Sequence, residues 1–388
     1  MKTGIDLISF YTPNYFLDLK VLAEHRGVDK DKFYLGIGQE KMAIPPPDED
    51  IVTMAASAAE PILEKIDRSS VELMILATES GIDQSKAAAL FAHSLLELPR
   101  RCRAVELKEA CYAATAGLQL AASWVKDHPD KKALVIGTDI ARYDLRSPGE
   151  PTQGAGAVAM LVTTEPRVLA LDAEYGLYAE DVMDFWRPNY RDNALVDGKY
   201  SMLVYISALL ESWKQYAERS GRRFEDHARF CYHLPFTKMA EKAHSRLMKD
   251  VGLTPTPALM DALLGDSLRY NRITGNTYTA SVYEGLSSLL DHCTDDLGSK
   301  RIGLFSYGSG CMGEFYSGVV QPEYRQHLFT ERHSRLIAGR TELTYQQYED
   351  IFQLGFPTDG GEHTFAQYRT GPFRLAGVSQ HKRIYEAL

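Results

Sequence analysis

Three side chains in this sequence stand where nucleophilic and acid–base chemistry would need them: Cys111 in "KEACYAATAG", Glu79 in "LATESGID" and His233 in "FCYHLPFTKM". A cysteine thiolate attacks an activated carbonyl to form a thioester, a carboxylate removes a proton, and an imidazole hydrogen-bonds an oxygen on which charge collects. Each type also has a plainer use. A lone cysteine is often a small buried hydrophobe, a glutamate at a strand end is usually solvated, and a histidine in an apolar run is more often a core residue. The local settings argue for chemistry. "CRAVEL" (102–107) alternates as a strand does, and Ala114, Leu118, Ala121 or Ala122, and Val125 recur at helical spacing, so Cys111 falls near a helix N-terminus. There, unpaired N–H groups and the helix dipole favour an anion, which predicts a lowered thiol pKa. Glu79 follows the apolar run "VELMILAT" (71–78), and His233 sits near the end of "RFCYHL" (229–234). Ligands of open α/β sheets gather beyond the carboxyl ends of such strands, where desolvation raises a glutamate toward the range of a useful base.

The elements that must carry these residues alternate along the chain. Short apolar runs at 71–78, 132–139, 229–234 and 301–307 read as buried strands, and helical patterns fill 50–66, 84–98, 201–221, 236–252 and 276–293. This alternation predicts a layered α/β protein. A first half, 1–170, closes with the Gly-rich turn and apolar strand of "PTQGAGAVAMLV" (151–162). A second half, 171–388, repeats the element order only loosely, so duplication is suspected. "IPPPDED" (44–50) and "LGFPTDGGEHTF" (354–365) read as surface loops.

Composition narrows the class. The 388 residues exceed one ordinary core, and 45% hydrophobic with 24% charged residues is usual for a globular chain. A net charge of −9 argues against nucleic acid as a partner, so an anionic substrate must be met by a local lysine or arginine cluster. Cys102, Cys111, Cys231, Cys293 and Cys311 form no CxxC pair and no metal spacing, which predicts neither a disulfide framework nor a metal site. The opening "MKTGIDLISFYTP" lacks a signal-peptide pattern and no apolar run reaches 18 residues. The expectation is a cytoplasmic protein with no membrane partner.

Three further segments bear on the site. "GSGCMG" (308–313) fits a dinucleotide fingerprint formally, but a strand pattern follows it instead of a helix. It is either a hairpin turn or a place where backbone approaches the reacting atoms and offers N–H donors. Asn276 in "ITGNTYTAS" is either a helix N-cap or an amide beside His233. Lys238 and Lys242, four apart on one helix face, could meet a polyphosphate or simply face solvent.

Taken in order, "ATES", "KEACYAATAG", "PTQGAGAVAM", "YHLPFTKM", "ITGNTYTAS" and "LFSYGSG" make the chain resemble the hydroxymethylglutaryl-CoA synthase family in its short bacterial form. The resemblance spans nearly the whole length and is weakest after about residue 325. It implies a thiolase-like fold of two similar halves, layered α-β-α-β-α, and a homodimer. It also implies acetyl-CoA and acetoacetyl-CoA as substrates, with no cofactor beyond the coenzyme A thioesters themselves. Matched position by position, Cys111 becomes the acyl acceptor, Glu79 the acid/base and His233 the polarising histidine. Asp29, Lys32, Lys238 and Lys242 fall where the family contacts coenzyme A or lies near its tunnel; Thr152, Ser201, Asn276 and Ser309 fall where it holds the acyl part. Tyr143 and Asp184 are second members of the site. A ketoacyl synthase would ordinarily lack the glutamate, and a thiolase would place its second cysteine before the glycines rather than as in "GSGCMG". A relative that branches polyketides on an acyl carrier protein keeps all three catalytic residues and is the nearer rival.

Overall fold

The computed structural model describes residues 2–388. Nine strands form its frame: β1 (Gly4–Tyr11), β2 (Val71–Ala77), β3 (Arg103–Leu107), β4 (Lys132–Ala141), β5 (Gly154–Thr163), β6 (Leu169–Ala179), β7 (Arg229–Tyr232), β8 (Arg301–Gly308) and β9 (Met312–Val320). Their spatial order is β7-β8-β9-β6-β1-β5-β4-β2-β3. The centre of this order is a thin seam, because β1 and β6 pair only through Gly4 with Ala170 and Ile5 with Leu169. On one side run β1-β5-β4-β2, joined antiparallel, antiparallel and parallel. On the other run β6-β9-β8-β7, joined in the same sequence of senses. β2 and β7 therefore occupy equivalent places, and only β3 lacks a counterpart.

Helices cover and separate the two sides. α3 (Ala113–Asp127) and α6 (Ser281–His292) share one core with β2, β4, β5, β7 and β8, while α1 (Ile51–Leu63) and α2 (Ala88–Leu95) pack a second core on an outer face. α4 (Gly198–Ser220) and α5 (Thr237–Asp250) build a third on the opposite outer face. The result is the five-layered, thiolase-like α/β arrangement. Nearly continuous burial along β4 and β5 explains their unbroken apolar runs, since both faces of these strands meet helices. In α3, Ala114, Leu118, Ala121 and Val125 are fully buried at helical spacing. Leu118→Ala is expected to cost about 2–5 kcal/mol through the cavity it leaves, as urea unfolding would read.

Helix ends follow side-chain chemistry. Asp50 and Thr53 form a reciprocal capping box at the start of α1, and Asp197 accepts from the Tyr200 N–H to start α4 three residues earlier than its apolar pattern begins. The helix expected over 84–98 shrinks to α2. Asp83 accepts the N–H groups of Ser85 and Lys86 in a turn, and the Glu106 carboxylate receives the Ala88 N–H at 2.6 Å. The 44–50 segment is not a surface loop. Asp48 is fully buried, accepts from the Arg374 guanidinium at 3.2 Å and receives the Leu375 N–H at 2.7 Å, tying this stretch under the C-terminal strands. The 354–365 loop is largely exposed, as expected. All five cysteines are free and buried. Among the described residues, no helix is long and apolar enough to cross a membrane, and no His, Cys, Asp and Glu cluster is arranged to hold a metal.

Candidate active site

Strand ends deliver the reactive groups. Glu79 lies two residues beyond β2, and Cys111 lies two residues before α3. Ala110, held at φ 41°, turns the chain sharply between β3 and that helix. The Cys111 thiol donates a hydrogen bond to Glu79 Oε1 across 3.0 Å. This contact reverses the expectation of a lowered thiol pKa. Burial first, then the neighbouring Glu79 charge, push the thiol well up, so the resting sulfur is protonated. The helix N-terminus does not overcome these two effects. Glu79 itself is raised to about 8, by desolvation and then by Asp139, against the lowering effect of the Cys111 hydrogen bond. A carboxylate with that affinity can take a proton from the sulfur and release it again near neutrality.

Asp139, near the end of β4, was not singled out by the sequence. It is fully buried, and its Oδ1 accepts from Thr78 Oγ1 at 2.7 Å and from the N–H groups of Glu79 and Ser80, both at 2.9 Å. Its Oδ2 accepts from the Thr279 N–H at 3.0 Å and the Thr279 hydroxyl at 2.5 Å. One carboxylate thus pins the Glu79 turn to the segment that enters α6. Arg187 donates to the Glu79 carbonyl oxygen from the other side. Because the Asp139 charge raises the Glu79 pKa, Asp139→Asn is expected to move the rising limb of any pH–rate profile that depends on the Glu79 carboxylate to lower pH. A profile that stays in place would remove Asp139 as a tuning charge.

His233 directly follows β7, the counterpart of β2, so Glu79 and His233 stand at matching ends of the two sides. Its N–H donates to Phe305 O at 2.9 Å, and its carbonyl accepts from the Tyr205 hydroxyl at 2.8 Å. Burial lowers its pKa to about 3, which makes it a neutral ring. Asn276 is not the N-cap of α6, which begins at Ser281. Its Oδ1 accepts the Tyr278 N–H at 2.9 Å, and among the described residues no partner occupies Nδ2. That amide is left as a donor.

Cys111, His233, Asn276 and Ser309 line one cavity of about 450 Å3. Tyr143, Thr152 and Ser201 share its wall, together with the apolar Tyr205, Phe236 and Met239. Phe185 also lines it, its ring 5.8 Å from Tyr278 and 6.3 Å from Tyr143, within the small apolar cluster around Cys111. No strand or helix pattern in "DVMDFW" pointed to Phe185. Asp184 does not contact the cavity. It is fully buried and accepts from Ser201 Oγ at 2.9 Å, Tyr307 Oη at 2.7 Å and the Gly310 N–H at 2.9 Å, so it braces the wall from behind. The Gly310 N–H is therefore taken and is not a free donor.

"GSGCMG" is both a hairpin turn between β8 and β9 and a close backbone approach. A Cβ on Gly308 would stand 2.6 Å from Glu109 O and 2.8 Å from Tyr112 N, inside the Cys111 loop. Gly308→Ala is expected to cost about 1–3 kcal/mol of stability and to slow acylation of Cys111, measurable as a lower Tm with a slower acyl-enzyme rate.

The residues matched to coenzyme A lie outside the cavity wall. Lys238 Nζ is 3.4 Å from Glu241, while Lys242 Nζ lies 3.9 Å from Met202 Sδ and 5.2 Å from the Phe236 ring centroid. Met202 and Phe236 line the cavity, so Lys242 sits at its rim. Asp29 and Lys32 are exposed, and Asp29 Oδ1 already accepts the Asp31 N–H at 2.9 Å. The Ile37 carbonyl nonetheless receives the Lys238 N–H at 2.9 Å, which places this loop against the start of α5.

Known proteins resemble the chain over most of its length. Residues 1–167 match the family model described as hydroxymethylglutaryl-coenzyme A synthase N terminal, and residues 169–256 and 251–358 match its C-terminal companion. The hydroxymethylglutaryl-CoA synthase of Enterococcus faecalis is 47% identical over 362 residues, covering 92% of this chain and 94% of that protein. A polyketide biosynthesis 3-hydroxy-3-methylglutaryl-ACP synthase of Bacillus subtilis (strain 168) is 34% identical, over 99% of this chain and 96% of its own. A crystal structure of HMG-CoA synthase complexed with CoA superposes with a TM-score of 0.95 at 41% identity, covering all of both chains. With the family models covering both halves and a relative 47% identical over nearly the whole length, the chain belongs to the hydroxymethylglutaryl-CoA synthase family.

Proposed function

We propose that this enzyme condenses acetyl-CoA with acetoacetyl-CoA and water, giving 3-hydroxy-3-methylglutaryl-CoA and free CoA. The observation that carries the reading is the 3.0 Å contact between Cys111 and Glu79 beside a cavity that His233 and Asn276 also line. Glu79 accepts the Cys111 proton as the sulfur attacks the acetyl carbonyl, and the departing CoA thiolate takes that proton away. The acetyl thioester acidifies its methyl group, and Glu79, again a carboxylate, removes a methyl proton. The enolate carbon then bonds to the ketone carbon of acetoacetyl-CoA. Neutral His233 and the Asn276 amide stabilise the oxygen that receives the electron pair, and the proton held by Glu79 completes the tertiary alcohol. Water finally cleaves the thioester, leaving a carboxylate on the product and a thiol on Cys111. The reaction is redox-neutral overall, so the chemistry calls on no redox cofactor.

Asp29, Lys32, Lys238 and Lys242 serve the coenzyme A moiety in this reading, which the rim position of Lys242 supports. Tyr143, Thr152, Ser201 and Ser309 hold the acyl portion from the cavity wall. Residues 1–170 and 171–388 act as two halves, consistent with their matching strand orders. In this reading the enzyme works as a cytoplasmic homodimer that feeds the mevalonate route to isoprenoids.

A second reading, with the acyl groups carried on an acyl carrier protein, draws on the full-length similarity to the Bacillus subtilis ACP synthase. Intact mass separates the two. An acetyl adduct on Cys111 formed from acetyl-CoA, and lost as hydroxymethylglutaryl-CoA appears after addition of acetoacetyl-CoA, supports the first. An adduct formed only from an acetylated carrier protein would transfer the function to the second.

A further inference from the structure

His233 makes one side-chain contact that the reaction scheme leaves unused. Its Nδ1 lies 3.0 Å from Ser281 Oγ, the first residue of α6, and Ser281 is fully buried. The same Oγ accepts the Leu234 N–H at 2.6 Å. With that lone pair engaged, the hydroxyl proton still needs an acceptor, and among the described residues the only one within reach of Oγ is Nδ1. Pointing the proton elsewhere would leave a buried donor unsatisfied, at a cost of about 1–3 kcal/mol. The alternative in which Nδ1 carries the ring proton requires that misdirected hydroxyl.

We infer that Ser281 fixes His233 as the Nε2–H tautomer, so that the ring nitrogen left without a partner among the described residues is a hydrogen-bond donor at the cavity. An acceptor at that nitrogen would repel the ketone oxygen as it gains charge; a donor stabilises it. Ser281 is a positioning residue, because the ring's main chain is held independently by Phe305 and Tyr205. The kinetic part of this inference rests on the proposed function, whereas the tautomer does not.

The test begins on the wild-type protein, labelled with 15N-histidine, with the His233 signals assigned by their loss in His233→Gln. A protonated Nε2 and an unprotonated Nδ1 at neutral pH are expected, and the reverse pattern would overturn the inference outright. In Ser281→Ala the Nε2–H preference should weaken, and single-turnover condensation should fall at least tenfold while acetyl-Cys111 still forms. Ser281→Thr, which keeps the hydroxyl, should restore both the tautomer and the rate. An alanine variant with the wild-type tautomer and condensation rate, or a folded threonine variant that restores neither, would refute the role. If wild type itself forms no hydroxymethylglutaryl-CoA, the proposed function fails, and the nitrogen signals still decide the tautomer.

Discussion

Cys111→Ala is expected to give no acetyl adduct by intact mass and to lose turnover by roughly 10⁴-fold or more, the scale on which removing a covalent nucleophile is felt. The expectation rests on placement. The Cys111 thiol lines the cavity and is hydrogen-bonded to the Glu79 carboxyl, whereas the buried Cys231 and Cys293 belong to the apolar core. The substitution removes one small buried atom, so the fold should persist with a loss of order 1 kcal/mol, and near-native circular dichroism would separate lost chemistry from lost structure. An adduct that still forms in the variant would mean that another group accepts the acyl chain. Alkylation of wild type should also be slow near pH 7, since only the thiolate reacts and the thiol pKa is raised.

Glu79→Gln is expected to lower condensation by about 10²–10⁴-fold, the usual contribution of a positioned general base, while acetyl-Cys111 accumulates after slower formation. The wild-type pH profile supplies a second check. In the proposed mechanism Glu79 works as a carboxylate, and its pKa is raised to about 8, so the condensation rate should climb toward pH 8 and level above it. The variant should lose that limb. Stability should change in the opposite sense. A carboxyl with a raised folded-state pKa makes the native state bind more protons than the unfolded chain between the ordinary value of 4.5 and about 8, so it loses stability as pH rises through that window. Glutamine avoids that loss, and the variant's Tm at pH 8.5 should exceed wild type by roughly 1–3 °C. An unaltered condensation rate, or a rate limb that survives the substitution, would take the base role away from Glu79.

How far these features could be read beforehand depended on whether a signal was local. The Glu79, Cys111 and His233 positions were legible because strand patterns mark the chain on either side, and strand ends are where α/β proteins place chemistry. The folded family arrangement also held together, from the five layers to the turn at "GSGCMG". What escaped was decided across the fold. Asp139 stands in an apolar strand, and its importance lies in partners 60 and 140 residues away. The thiol pKa followed the same logic. Helix position was visible in sequence, but the opposing burial and Glu79 charge required the tertiary contact. "IPPPDED" has a loop's composition, yet Arg374 buries it by reaching back over 326 residues. Asp184 had the right neighbourhood and the wrong contact, because nothing in sequence told a wall from the brace behind it.

The matching strand orders on the two sides of the seam carry a consequence for how such a catalyst can arise. Two identical copies of one half, docked about a twofold axis, would have to present the same group at both equivalent strand ends, either two carboxyls or two imidazoles. Joining the halves in one polypeptide lifts that symmetry. One end can become a carboxylate with its pKa pushed up, while its mate becomes an imidazole with its pKa pushed down. The proposed division of labour between proton abstraction and oxygen stabilisation is thus a property of the covalent fusion, and a homodimer of isolated halves could not reproduce it.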